Sequence, residues 1–366
     1  MSFVAASRWF AFRLDVLSFI LTASATLLAV LFDDQNWFEV DPAILGLALT
    51  LLIQISTTNF PWIVRQSAEV TNQMVSVERI LEYGSLPSEG ALTTNVDSRI
   101  DHWPDHTSIS FKHVTIKYRS NLPPALSDVS FTVTSGSRVG IVGRTGSGKS
   151  TLVQSLFRIL NLEDGTIEVG GVDISLLGLH KLRTSMAIIP QSPVLFRGCT
   201  VRENLDPFGK FCDKDIINVL KEVEMLDVIS ALPNDIHAHV EEGGSNFSSG
   251  QRQLLCLARA ILHKTKLLVL DEPTANVDMN TNQLIQETIR NKFPSATIMC
   301  VAHRLDTIID HDFILLLSDG KVLEFGTPHQ LLSDHNGHFT SMVEGMGPAT
   351  ASELKKKAFE ANEKSS

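Results

Sequence analysis

Two long apolar runs open the chain, separated by a short polar stretch. Residues 14–32 carry a single charge, Asp15, and residues 43–64 carry none. A helix needs roughly 20 residues to cross the hydrocarbon core of a bilayer, so each run predicts a membrane-spanning helix. Polar residues in the last third of the second run fit either the membrane edge and helix contacts or a polar pathway.

Charged residues around the two runs favour a helical hairpin. Arginines flank it on the outer sides, and the loop between the runs is acidic and lacks Lys and Arg. These residues are Arg8, Arg13, Arg65 and Arg79 outside, and Asp33, Asp34, Glu39 and Asp41 in the loop. The positive-inside tendency then places both ends in the cytosol. A cleaved signal peptide is the alternative for the first run, but its apolar region normally spans only about 7–15 residues.

The helical period continues beyond the second run and then stops. Its apolar positions are Val70, Met74, Val77 and Leu81. This spacing predicts that the membrane helix extends into the cytosol until Gly84 and Pro87 end it. We therefore expect a membrane part over residues 1–83. Residues 84–108 mix polar residues with proline and show no period, which predicts a linker.

From residue 109 short strand patterns alternate with helical ones. The first strand-like positions are Ile109, Phe111, Val114, Ile116 and Tyr118. Later apolar segments fall at 187–189, 267–270, 297–301 and 313–317, and helical stretches at 150–160, 251–262 and 282–292. This alternation predicts a largely parallel sheet covered by helices over residues 109–345. Residues 346–366 carry a lysine run and few large apolar residues, which predicts a disordered tail.

Charge and cysteine usage exclude some functions. The formal net charge is −10 over 366 residues, and no basic face is visible, so nucleic acid is not an expected partner. Four cysteines (Cys199, Cys212, Cys256 and Cys300) lie in the later part without a CxxC spacing. Reduced cytosolic thiols are therefore expected rather than disulfides or zinc.

Residues 143–150 match the pattern G-x-x-x-x-G-K-[ST] between a predicted strand and a predicted helix. Backbone N–H groups of such a loop turn inward around phosphates, and the helix N-terminus adds its positive end. Lys149 would reach the outer phosphates and Ser150 would bind Mg²⁺. The expected ATP-binding residues of this segment are Gly143, Arg144, Thr145, Gly146, Ser147, Gly148, Lys149, Ser150 and Thr151.

Polar residues follow three other predicted strands. Asp271 and Glu272 end an apolar strand, so their carboxylates should emerge at the edge where ligands bind in such sheets. Asp271 suits the metal, and Glu272 suits a general base that polarises the attacking water. Gln191 could sense Mg²⁺ and this water, and His303 should emerge near the γ-phosphate. A lone glutamine or histidine after a strand also has an ordinary structural explanation.

In this order the motifs resemble the nucleotide-binding domain of ABC transporters, from about residue 109 to 344. Residues 143–150 look like its Walker A motif, 248–251 its signature (Ser248, Ser249, Gly250 and Gln251), 267–272 its Walker B and 275–278 its D-loop, which ends at Asp278. The resemblance implies an α/β P-loop NTPase fold with an antiparallel β subdomain and a helical subdomain, preceded by an all-α transmembrane hairpin. It makes Gln191 the Q-loop residue, His303 the switch histidine and Tyr118 the ring that stacks on adenine. A plain strand tyrosine is the alternative for Tyr118.

Several segments are similar to the second nucleotide-binding domain of the C subfamily, the multidrug-resistance-associated proteins. They are residues 64–69, 77–80, 141–146, 189–196 and 244–248. Phe247 departs from the usual leucine, which this subgroup tolerates. A complete transporter of this type has two membrane domains and two nucleotide domains, so the chain looks like the last two membrane helices and the second nucleotide domain.

The resemblance implies a mechanism with two nucleotide domains closed head to tail. Each ATP then lies between one Walker A and the partner's signature, so the partners are a second nucleotide-binding domain, the remaining membrane helices and the bilayer. The implied activity is MgATP hydrolysis coupled to export of amphipathic organic anions, by default across the plasma membrane. A regulatory ABC protein that gates a partner, and a truncated product that binds ATP without transport, are the alternatives.

Overall fold

The computed structural model describes residues 2–34, 41–55, 60–100, 103–119, 121–272, 278–302 and 304–365. It contains two compact units, Met1–Glu89 and Gly90–Ser366. The first unit is helical, and the second combines two sheets with helices.

The first unit contains helices α1 (Ser2–Asp34), α2 (Pro42–Gln54) and α3 (Phe60–Gly84). Asp41 caps α2, because its Oδ1 accepts a hydrogen bond from the backbone N–H of Ala43 at 2.9 Å. The end of α3 at Gly84 agrees with the stop signal in the sequence.

One helix among the described residues is long and apolar enough to cross a membrane, at Phe12–Leu31 within α1. Its large apolar side chains are mostly exposed, as a lipid-facing surface requires, and Phe19 is 73% exposed. The second predicted span, residues 43–64, covers α2 and the start of α3, and its residues 56–59 lie outside the described residues. Because α2 has only 13 residues, the second span stays a prediction.

Within its described residues the second unit contains ten strands in two sheets. Their bounds are β1 (Ile109–Ile116), β2 (Leu126–Val133), β3 (Arg138–Gly143), β4 (Asp164–Val169), β5 (Val172–Asp173), β6 (Met186–Ile189), β7 (Leu267–Asp271), β8 (Thr297–Val301), β9 (Phe313–Ser318) and β10 (Lys321–Gly326). An antiparallel sheet has the order β2-β1-β4-β5, and the larger sheet has the order β10-β9-β3-β8-β7-β6. The larger sheet is parallel except for the edge strand β10.

Ten α-helices in the described part of this unit surround the sheets. They are α4 (Lys149–Leu156), α5 (Leu179–Thr184), α6 (Val201–Leu205), α7 (Asp213–Glu222), α8 (Leu226–Ser230), α9 (Ser249–Leu262), α10 (Met279–Lys292), α11 (Pro328–Ser333), α12 (His338–Glu344) and α13 (Pro348–Ser365). Helices α6 to α9 share one apolar core with one face of the larger sheet. The antiparallel sheet, α4 and the other face of the larger sheet share a second core. The expected P-loop NTPase fold is confirmed.

The apolar alternation in β1 changes phase between Phe111 and Val114. Pairing with β2 shifts register at the same place, and His113 has a positive φ of 53°. The bulge keeps both Phe111 and Val114 in the core, because one extra residue restores the inward direction of the side chains.

Gly320 joins the two sheets beside the phosphate loop. Its N–H donates to Ser147 O at 3.1 Å, and its carbonyl accepts from Ser127 N at 2.8 Å. Gly320 has φ of +75°, and a Cβ there would lie 2.6 Å from Ala125 O. Only glycine fits this turn without displacing backbone.

The structure differs from the predicted linker over residues 84–108. From Gly90 onward the segment belongs to the second unit. Asp97 Oδ1 accepts from Gly178 N at 3.0 Å, and Thr94 Oγ1 donates to Leu176 O at 2.9 Å. Trp103 is buried, and its Nε1 donates to Val169 O at 3.0 Å. Polar side chains therefore attach this segment to the domain through contacts that have no local sequence pattern.

The predicted disordered tail over residues 346–366 also differs from the structure, which has helix α13 there. Ala351, Leu354 and Ala358 are buried. These positions follow the spacing i, i+3, i+7, so one narrow apolar stripe packs against α11 and α12. Because two of the three residues are alanines, the apolar pattern is weak in a segment rich in lysine and glutamate.

Candidate nucleotide site

The glycine-rich loop connects β3 to α4, as its sequence requires. Gly146 and Gly148 have φ of +84° and +103°, and a Cβ at Gly148 would lie 2.6 Å from Leu126 Cδ2. Glycine is the residue that adopts these angles at low cost. The chain can therefore turn sharply and present the N-terminus of α4, which is the geometry that binds phosphates.

Lys149 places a buried ammonium group inside this loop. Its Nζ donates to Gly143 O at 2.8 Å and to Arg144 O at 3.1 Å. Burial lowers the pKa of Lys149, while the negative charges of Glu272 and Asp271 oppose the shift. The lysine and the two acids of the β7 end therefore share one electrostatic environment, although more than a hundred residues separate them.

Gln191 and Glu272 meet at the same edge of the larger sheet. Gln191 follows β6, Glu272 follows β7, and these strands are parallel neighbours. Gln191 Nε2 donates to Glu272 Oε2 at 2.9 Å. Glu272 has a φ of 48°, and its N–H donates to Val301 O at 3.1 Å. The left-handed backbone at Glu272 is unusual for this residue type and redirects the chain as it leaves the strand.

Tyr118 lies beyond the end of β1 and reaches the helix that follows the loop. Its hydroxyl lies 3.1 Å from Thr151 Oγ1 and donates to Gln154 Oε1 at 3.4 Å. The side chain is 53% exposed. An exposed ring held at its hydroxyl end can offer a face for stacking with a base.

These groups line one cavity of about 510 Å³. Its lining residues are Tyr118, Ala125, Thr145, Gly146, Gly148, Lys149, Ser150, Thr151, Gln191 and Glu272. The volume lies in the usual range for small-molecule sites. Ser150, Gln191 and Glu272 offer the oxygen donors that Mg²⁺ prefers, with Asp271 next in sequence. The site therefore fits a nucleoside triphosphate with Mg²⁺.

The segment Ser248, Ser249, Gly250 and Gln251 forms the N-terminus of α9. Gln251 N donates to Ser248 Oγ at 3.2 Å, and Ser248 N donates to Gln251 Oε1 at 2.9 Å. This reciprocal capping box fixes the start of the helix. Phe247 is 4% exposed and belongs to the helical core, so the residue that departs from leucine acts as an apolar anchor.

Asp278 is the N-cap of α10. It accepts a hydrogen bond from Thr281 N at 3.0 Å, and this bond lowers the pKa of the Asp278 carboxyl. The other D-loop residues, 275–277, and His303 lie outside the described residues. Their expected roles stay predictions.

Two residues, one in the cavity wall and one behind Tyr118, were not identified from the sequence. Ala125 lines it, and Gln154 contacts the Tyr118 hydroxyl. Gln154 lies four residues after Ser150 on α4, so the helical period could have placed it on the same face. Ala125 has no reactive side chain, and it reaches the cavity because β2 approaches the loop. A local sequence pattern therefore could not have identified it.

Residues 126–275 match the ABC transporter family. The chain is 43% identical over 93% of its length to ABC transporter C family member 8 of Dictyostelium discoideum. It is 41% identical over 94% to ATP-binding cassette sub-family C member 2 of Rattus norvegicus, and 43% identical over 96% to sub-family C member 4 of Homo sapiens. The chain spans 21%, 22% and 26% of the lengths of these three relatives.

Proposed function

Because this chain carries an ABC transporter domain and is a relative of the C family of these transporters, we propose that it binds MgATP and hydrolyses it together with a partner domain. The observation that carries the proposal is the convergence of Lys149, Gln191 and Glu272 on one cavity. Tyr118 lines the same cavity. The cavity therefore combines a cation, a carboxylate and an aromatic ring.

The side chains have separate roles in this proposal. Backbone N–H groups of the loop and Lys149 hold the phosphates. Ser150, Gln191 and Asp271 would hold Mg²⁺, which when bound neutralises charge on the phosphate oxygens. Glu272 accepts a proton from the attacking water, and Gln191 keeps the carboxylate oriented through its 2.9 Å hydrogen bond. Tyr118 stacks on the base, and His303 is assigned to the γ-phosphate end.

The signature residues serve a different nucleotide. None of the residues that line the cavity in the described part of the chain belongs to the start of α9. The capped N-terminus of α9 is instead available to the phosphates of an ATP molecule bound to a partner domain. In this arrangement one chain supplies half of each ATP site.

Binding of MgATP by the full chain in detergent or nanodiscs tests the proposal. We expect saturable binding of a fluorescent ATP analogue, displaced by ATP. Lys149→Ala should weaken binding by about 10- to 100-fold, because hydrogen bonds to charged groups contribute about 1.5–3 kcal/mol. Lys112→Ala is the control, since Lys112 pairs with Glu168 on the antiparallel sheet. Equal binding by the wild type and Lys149→Ala would exclude this site.

We propose export of amphipathic organic anions as the coupled process, with the plasma membrane as the location. The apolar span in α1 supports a membrane setting, and the C-family relatives support transport. The chain assembled with further membrane helices and a second nucleotide domain should drive ATP-dependent uptake of a glutathione conjugate into inside-out vesicles. Nucleotide-dependent gating of a partner without uptake would instead indicate a regulatory protein.

A further inference from the structure

Helix α9 holds the backbone of the Gln191 segment through a buried side chain. Gln253 is 2% exposed, and its Nε2 donates to Pro190 O at 2.9 Å and to Gln191 O at 3.3 Å. Both acceptors are main-chain carbonyls at the point where β6 ends. The orientation of the amide is fixed, because a carbonyl can only accept and the amide nitrogen is the donor.

The contact continues along one face of α9. Gln253, Cys256 and Arg259 follow the spacing i, i+3, i+6, which places them on neighbouring turns. Arg259 donates from Nη1 to Val194 O at 2.9 Å and from Nε to Asn204 O. Burial lowers the pKa of Arg259, and its guanidinium bonds to carbonyl oxygens. This face of α9 therefore bonds to the chain after Gln191 at two positions, Val194 and Asn204.

Packing alone does not account for Gln253. Its Oε1 is buried without a hydrogen-bond partner among the described atoms. A buried amide that uses only its donors costs folding free energy relative to an apolar side chain of similar volume. We therefore attribute the presence of the amide to the two main-chain carbonyls that its NH₂ group holds in place.

We propose that Gln253 is a positioning residue that holds Gln191 against Glu272 and thereby sets the response of the site to Mg²⁺. The Gln253 amide fixes the Gln191 main chain, and the Gln191 amide donates to Glu272 Oε2. The same helix begins at the capped signature. A displacement of α9 by the partner's nucleotide is therefore transmitted directly to Gln191. This inference rests on the proposed function, because it assigns a role toward MgATP.

Gln253→Met in the full chain tests the role, since methionine keeps the length and removes both donated hydrogen bonds. The measured quantity is the Mg²⁺ enhancement, the ratio of ATP dissociation constants without and with Mg²⁺. We expect the enhancement to fall about tenfold, as for other residues that orient metal-site groups. ATP affinity without Mg²⁺ should stay within about twofold of the wild type, because the loop and Tyr118 are untouched. Leu254→Met, a buried neighbour on α9, is the control for repacking.

Two further measurements separate positioning from stability. Gln191→Ala combined with Gln253→Met should be no worse than Gln191→Ala alone, because Gln253 acts through Gln191. Hydrogen exchange of residues 191–196 in the nucleotide-free chain should accelerate in Gln253→Met and not in Leu254→Met. A wild-type Mg²⁺ enhancement in Gln253→Met, or additive effects in the double variant, would overturn the inference. Absence of MgATP binding in the wild type would instead refute the proposed function.

Discussion

Gln191 Nε2 donates a 2.9 Å hydrogen bond to Glu272 Oε2 across 81 residues of sequence. The two residues follow adjacent parallel strands, so the sheet itself brings them together. Both residues line the same cavity as Tyr118 and Lys149.

Glu272→Gln should abolish turnover and keep ATP bound. A general base typically contributes about 10²- to 10⁴-fold to the rate, and an amide cannot take up the proton. The substituted amide can turn its oxygen toward Gln191 Nε2, so the local structure should persist. Phosphate release and retention of radiolabelled ATP measure the two effects. Glu168→Gln, on the antiparallel sheet, is the control, and near-normal hydrolysis by Glu272→Gln would refute the assignment.

Hydrolysis should require two copies of the nucleotide domain. The rate per chain should rise with concentration, because α9 presents its N-terminus to another nucleotide. Ser248→Asp keeps an N-cap of equal quality and adds a negative charge that repels phosphate.

Mixing Ser248→Asp with Glu272→Gln should therefore restore hydrolysis that neither variant shows alone. One site of a mixed pair combines an intact Glu272 with an intact Ser248. Phosphate release at matched total concentration measures this recovery. A concentration-independent rate in a monodisperse monomer, or no recovery in the mixture, would contradict the shared site.

Tyr118 should contribute its ring rather than its hydroxyl. Stacking on a base contributes about 1–3 kcal/mol, so Tyr118→Ala should weaken ATP binding by about 5- to 100-fold. Tyr118→Phe keeps the ring and should bind nearly as well as the wild type, despite loss of the contact with Thr151. Tyr83→Ala changes the chain's other tyrosine and is the matched control. Equal losses in the Phe and Ala variants would assign the effect to the hydroxyl.

Asp97 should make the stability of the second unit depend on acidic pH. Burial raises the pKa of this carboxyl, but hydrogen bonds from Gly178 and Thr94 outweigh it and lower the pKa below 3.8. The ionised form therefore stabilises the fold at neutral pH, and the contribution is lost as pH falls through the lowered pKa. Asp97→Asn should cost about 1–3 kcal/mol at pH 7, and this cost should shrink as pH falls through the lowered pKa of Asp97.

Urea denaturation at each pH measures this difference, with Asp105→Asn as an exposed control from the same segment. Gly178→Ala should disturb the same hydrogen bond and lower stability, because a Cβ there would lie 2.4 Å from Asp97 Oδ2. A pH-independent difference between wild type and Asp97→Asn would exclude the charge as the cause.

Helix α13 should contribute to the stability of the second unit. Leu354 is 2% exposed, and Leu→Ala substitutions at such positions cost about 2–5 kcal/mol. Lys356→Ala removes an exposed ion pair with Glu360 on the same helix and should change the free energy of unfolding by less than about 0.5 kcal/mol. Urea denaturation of both variants compares them. Equal stability of Leu354→Ala and the wild type would indicate a helix that does not support the domain.

The sequence predicted the strands and the glycine-rich loop because both have strong local patterns. It could not place Asp97 or Gln253, whose partners Gly178 and Pro190 lie 81 and 63 residues away. Nor did it identify α13, because Ala351 and Ala358 contribute little to an apolar pattern. The expected ligand-binding and catalytic residues were identified by their type and spacing. The residues that position them could not be identified this way, because their contacts are long-range.

The turn at Gly320 also has a consequence for ligand choice. Tyr118 follows a strand of the antiparallel sheet, and Lys149 follows a strand of the larger sheet. In the proposed site the base and the phosphates would therefore contact different sheets. Gly320 bonds to both Ser147 and Ser127 and so connects the phosphate loop to the antiparallel sheet. We therefore expect a ligand that is too short to reach from the Tyr118 ring to Lys149 to contact only one of these two residues.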